Sequence, residues 1–82
     1  MFTVYVLYSS SYNKIYVGYT SNLEQRLLSH NELATKGYTI RYRPWKVIHT
    51  EKFNTKKDAM FREKQLKSAK GREFIWKMIS DI

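Results

Sequence analysis

The run VYVLYSSSYNKIYVGYTSNLEQRLLSH, residues 4–30, decides the fold. Residues 4–8 and 15–19 are β-branched and aromatic, as strands are. The polar segment between them contains an asparagine and reads as a hairpin loop. Ser21 followed by Glu24 has capping-box spacing, which predicts that the second strand passes almost directly into a helix with Ser21 as its N-cap. On that helix, about residues 22–30, Leu23 and Leu27 form an i,i+4 apolar seam joined by Leu28. Arg26 and His30 lie four apart on a neighbouring stripe. In the first strand Phe2, Val4 and Val6 take one face and Thr3, Tyr5 and Leu7 the other; in the second, Tyr16 and Gly18 share a face. A glycine inside a strand marks either close approach of a backbone or ligand, or a bulge, and the residue alone leaves both open.

Beyond the helix, residues 31–44 lose all periodicity, and Gly37, Thr39 and Pro44 punctuate a loop. A third strand begins at Trp45 and extends to Thr50 or Phe53. Thr55 with Asp58 opens a second long helix that runs to about Ala69, and Gly71 reads as a cap or hinge. Residues 72–80 make a last helix with Phe74, Ile75, Met78 and Ile79 as its buried side. The order β-β-α-β-α-α predicts an α+β fold, a small three-stranded antiparallel sheet with three helices packed around it. No repeat or Pro/Gly/Ser linker divides the chain, so residues 1–82 read as one domain.

Eighty-two residues without cysteine must be held by a small core, with no disulfide, zinc–thiolate site or thiol nucleophile. The apolar runs are far shorter than the roughly 20 residues of a membrane span, and no signal-peptide pattern opens the sequence. The expectation is a cytoplasmic protein without a membrane partner. Fifteen Lys and Arg against seven Asp and Glu leave a net charge of +8, which points to a polyanion as partner, nucleic acid before a membrane surface.

Several residues depart from what core building needs. Ala59, Glu63, Leu66 and Lys70 fall on one helical stripe, so Glu63 lies among small and apolar neighbours and requires a cation. That cation is either a metal or simply Lys67, its i+4 neighbour. Tyr5 and Tyr16 are equally readable as ordinary strand aromatics, Arg26 as a solvated helix residue, and His30 as a histidine favoured by a helix C-terminus. Tyr38, Arg41, Tyr42, Arg43, Trp45 and Lys46 interleave rings with cations, and no acid occurs from Leu33 to Thr50. Such a segment offers stacking faces and phosphate partners together. Lys36, Lys64 and Lys67 extend the candidate DNA-binding set. Walker, dinucleotide-binding, HExxH and nucleophile-elbow motifs are absent from the sequence.

The ordered set resembles a known family. Thr3-Val4-Tyr5 and Tyr16-Val17-Gly18, with the tyrosines eleven apart, are similar to the paired signature of the GIY-YIG nucleases. The similarity continues through Arg26, His30 and Glu63 and covers nearly the whole chain, most closely in the manner of small single-domain bacterial members related to the nuclease domain of the repair protein UvrC. The resemblance implies a metal-dependent DNA endonuclease, structure-selective and connected with DNA repair or processing. Glu63 would bind Mg²⁺ or Mn²⁺, Arg26 would stabilise charge on the scissile phosphate, and Tyr5 and Tyr16 would position or deprotonate the attacking water. His30 and Tyr38 match positions that assist in some members. Thr3 stands where the family has its first glycine, and no asparagine follows Glu63, although many members have one. The alternative is a non-catalytic nucleic-acid-binding module, or a catalytic subunit that depends on a partner. If the resemblance holds, Tyr5 and Tyr16 sit side by side, Glu63 faces them, and all three border one solvent-reachable pocket with Arg26.

Overall fold

The structure is a computed structural model and describes residues 1–33 and 37–81. Strands β1 (Phe2–Ser9), β2 (Lys14–Thr20) and β3 (Lys46–Phe53) form one antiparallel sheet in the order β2-β1-β3. The expected three-stranded α+β architecture is present. Helix α1 (Leu23–Leu28) runs on into a π-helical turn, Ser29–Leu33. A short α2 (Tyr38–Arg41) occupies part of the expected loop, and α3 (Lys56–Lys67) and α4 (Ala69–Ser80) close the chain.

The central strand explains the layering. Val4, Tyr5, Val6 and Leu7 are all buried, because β1 is covered on both faces. On one face Val4, Val6 and Val17 meet Ala59, Leu66 and Ile75 of α3 and α4. On the other, Tyr5, Leu7 and Trp45 pack with Tyr16, Leu23 and Leu27. The face division expected from strand alternation is therefore observed, and β2 is left as an edge strand between the two layers. Arg62 fastens α3 to the opposite edge of the sheet: its Nε and Nη2 donate to the two Glu51 oxygens at 2.9 and 3.0 Å. This bidentate pair holds the Glu51 carboxyl below the usual carboxylate range and sets the rotation of the helix that carries Glu63.

Three local expectations are corrected. Asn22, not Ser21, caps α1; its Oδ1 accepts from the Gln25 amide at 3.2 Å, while the Thr20 hydroxyl accepts from the Asn22 amide. Phe74 is 46% exposed, so of the expected buried side of α4 Ile75, Met78 and Ile79 turn inward, with Trp76 half-buried beside them. Gly71 neither caps nor hinges but lies in the first turn of α4, whose N-cap is Ser68. A Cβ at Gly71 would sit 2.2 Å from the Gln65 carbonyl oxygen and 2.4 Å from Leu66 Cα. Helix propensity alone would favour Gly71→Ala by about 1 kcal/mol. Because the obstacle is backbone, overpacking should win and cost about 1–3 kcal/mol net. Chemical denaturation should show a lower midpoint, and an unchanged or higher midpoint would refute the packing argument.

Candidate active site

Tyr5 pairs with Gly18 across the β1–β2 ladder, and Tyr16 pairs with Leu7. This register brings the two tyrosine rings to 6.3 Å between centroids. Gly18 is what makes the arrangement possible: a Cβ there would lie 2.6 Å from the Tyr5 hydroxyl oxygen and 2.8 Å from its ring. Of the two readings the sequence left for this glycine, close approach is the structural one.

The tyrosines are not equivalent. Tyr5 is 1% exposed, and its hydroxyl shares a 2.8 Å hydrogen bond with His30 Nε2. Burial pushes the Tyr5 phenol up to about 12, against a counteracting hydrogen bond from Arg26. That same bond, with the negative charge it would meet on Tyr5, holds the Arg26 guanidinium above its already high value. The phenol therefore keeps its proton at neutral pH, and His30 Nε2 is its hydrogen-bond partner. Burial first, then the charges of Arg26 and Arg43, depress the His30 pKa and keep the ring neutral, able to accept. Tyr16 is only half-buried, lies 4.8 Å from the His30 ring between centroids, and stacks on Tyr38 at 6.4 Å and 27°.

The His30 shift carries a pH consequence. The unfolded chain protonates near pH 6.5, whereas folded His30 holds out to lower pH. The unfolded state therefore binds more protons in that window, so the stability contributed above pH 6.5 is lost as pH falls through the folded pKa. The melting temperature should drop between pH 6.5 and 5, and His30→Gln should flatten that dependence. Equal slopes in the two proteins would show that His30 is not the group responsible.

Glu63 arrives from the other layer. Helix α3 packs on the Val4/Val6/Val17 face, whereas the tyrosine rings belong to the opposite one, so Glu63 does not face them across a single layer as expected. What joins them is an open cavity of about 520 Å³ at the free edge of β2, bordered by Tyr5, Tyr16, Gly18, Arg26, Lys56 and Glu63. The Glu63 side chain is 17% exposed and pairs with Lys67 Nζ at 3.2 Å. The i+4 ion pair open on the sequence is thus formed, and the carboxylate borders the pocket as well. Among the described residues no three His, Cys, Asp or Glu side chains gather as a metal cage. One carboxylate still suits Mg²⁺, a hard cation that keeps several waters and completes its shell with substrate phosphate oxygens.

The expected nucleic-acid residues separate. Trp45 is 4% exposed, with its indole N–H donating to the Thr39 carbonyl at 2.7 Å and its backbone clamped by the Asn31 side chain. It has no face to offer a base. Arg43 donates to the carbonyls of His30 at 2.6 Å and Ser29 at 3.1 Å, which fixes the π-helical turn behind the pocket. Tyr42 is half-buried against Tyr12 and Tyr38. Arg41 is exposed, Lys46 lines a separate hollow with Pro44 and Ile79, and Lys64 lies on the outer side of α3 beside Phe61. Lys67 reaches the groove beside Glu63, and Lys36 lies outside the described residues. Sequence reasoning missed Lys56; its position seven residues before Glu63, two helical turns away, was the available signal.

The GIY-YIG catalytic domain matches residues 1–78. A UPF0213 protein of Bacillus velezensis is 42% identical over 66 residues, covering 77% of this chain and 67% of the relative. One from Natronomonas pharaonis is 42% identical over 65 residues, covering 79% and 75%. A third, from Staphylococcus haemolyticus, is 39% identical over 56 residues, covering 68% of each. No solved structure matches the chain.

Proposed function

The chain belongs to the GIY-YIG family, and from that membership we propose that it is an endonuclease hydrolysing phosphodiester bonds in DNA with a divalent metal ion. The observation that carries the reading is the convergence of Tyr5 from β1, Tyr16 from β2, Arg26 from α1 and Glu63 from α3 on one open pocket. The tyrosine rings belong to the core, but packing alone does not require Arg26 and Glu63 to meet them there. Glu63 would hold Mg²⁺ or Mn²⁺, which when bound supplies a Lewis acid for the scissile phosphate. Arg26, charged at any working pH, stabilises the negative charge that develops on the phosphate oxygens. Tyr16, the more accessible tyrosine, orients the attacking water. Tyr5 keeps its proton and, hydrogen-bonded to His30, forms the wall of the pocket beside Arg26; Tyr38 buttresses the Tyr16 ring. We place the substrate among branched or damaged DNA in the cytoplasm, in repair or processing; among the described residues no helix is long and apolar enough to cross a membrane.

A non-catalytic DNA-binding role is the second reading, favoured by the Glu63–Lys67 ion pair, which occupies the one carboxylate of the pocket. Nicking of supercoiled and branched DNA with Mg²⁺, with Mn²⁺ and with chelator separates the two. Divalent-dependent cuts support the nuclease, and their absence on every substrate leaves the binding role.

A further inference from the structure

Beyond Tyr16, toward the hairpin end of β2, lies a second open cavity of about 510 Å³; Tyr16 lines both cavities, and Lys14, Tyr38, Lys67, Arg72 and Trp76 also line this one. No Asp or Glu lines it, while three cations from the hairpin, α3 and the start of α4 do. Its rings are partly open: Tyr38 is 48% exposed and Trp76 is half-buried, edge-on to Tyr8 at 6.2 Å. Lys14 is held at the mouth, 5.3 Å above the Tyr42 ring.

We propose that this groove along the free edge of β2 is a binding track for an unpaired strand of nucleic acid, which leads away from the pocket at Glu63. The proposal rests on that pocket being where the strand is cut. Phosphates lie against Lys14, Lys67 and Arg72, and an unstacked base lies against Tyr38 and Trp76. Two physical features favour an unpaired strand over a duplex. A ring offers its π-face only to a base that has left its stack, and three cations share one cavity with the partly open rings of Tyr38 and Trp76. The seven residues of β2, six steps of about 3.4 Å, give a floor of roughly 20 Å. At 3.4 Å or more per nucleotide that length accommodates no more than about six nucleotides. A cut beside such a track would fall where a duplex meets a single strand.

The test measures binding of fluorescent single-stranded and duplex oligonucleotides to Glu63→Gln protein in chelator, with no cleavage step. On this background Lys14→Ala and Arg72→Ala together should weaken single-strand binding at least tenfold. They should also lower the log–log salt slope by about 1.4, the value for two phosphates at 0.7 each. Tyr38→Leu should weaken binding without moving the slope, because it removes stacking and no charge. Lys57→Ala, on the outer side of α3, should change neither quantity. If Lys57→Ala moves the slope and the Lys14/Arg72 pair does not, the strand crosses the outside of α3 and the proposal is wrong. Equal weakening of duplex and single strand by Lys14/Arg72 would overturn the preference for an unpaired strand. Because binding is read without turnover, the track can be established even where the wild type cuts nothing, which would count against hydrolysis alone.

Discussion

Glu63→Gln should lose nearly all cleavage while binding DNA as tightly as the wild type or more tightly. The substitution keeps the shape of the side chain and one carbonyl oxygen, but removes the anionic ligand that a hard divalent cation requires. It also dissolves the 3.2 Å pair with Lys67. The lysine is then free for phosphate, and one negative charge has left a pocket whose other charged side chains, Arg26 and Lys56, are cations. Both changes favour the polyanion, so affinity and activity should move in opposite directions. The measurement is cleavage of a labelled branched duplex beside equilibrium binding in chelator, after melting curves show that the variant is folded. A variant that cuts at the wild-type rate would mean that the metal ligand has been misassigned. Lost binding together with lost cleavage would mean that Glu63 is structural.

Arg26→Ala should fail in a different way. Loss of a preorganised charge stabiliser costs on the order of 3–4 kcal/mol, or two to three orders of magnitude in rate. Unlike the glutamine variant it should also weaken DNA binding, and raising the metal concentration should not rescue it. Arg26→Lys should recover only part of the rate, since an ammonium supplies charge without the planar fork. The structure adds a readout independent of catalysis. Arg26 is one of the two charges that depress the His30 pKa. In Arg26→Ala that pKa should rise toward the ordinary histidine value, visible in an NMR titration of the ring. If His30 titrates identically in both proteins, Arg26 does not lie close enough to His30 to act on its charge. Wild-type cleavage by Arg26→Ala would remove it from the reaction altogether.

The sequence by itself determined the elements and the partners that local chemistry selects. Alternation in residues 2–8 assigned Val4 and Val6 to one layer and Tyr5 and Leu7 to the other, and both layers are observed. Thr55 caps α3 as its spacing with Asp58 indicated. The tyrosine spacing, Arg26 and Glu63 were enough to identify the family, because such a motif is a statement about sequence and needs no contact. Boundaries within a residue or two were less legible where neighbours compete: Ser21 and Asn22 are both good caps, and the Thr20 hydroxyl settled the choice for Asn22.

Tertiary structure decided what each side chain is free to do. Trp45 and Arg43 read as DNA contacts because rings among cations suit a polyanion, but sequence carries no record of burial. The Trp45 ring fills the layer under α2, and Arg43 satisfies carbonyls at the end of the π-helical turn. The short α2 itself, four residues without periodicity, is held by that packing and has no local signal. The inequality of Tyr5 and Tyr16 follows from register and layer depth, since Tyr5 stands on the central strand and Tyr16 on an edge strand with one open side. Only the edge position of β2 brings Glu63 from one layer to tyrosines of the other, because a pocket connecting two faces of a sheet can open only where the hydrogen-bonded ladder stops.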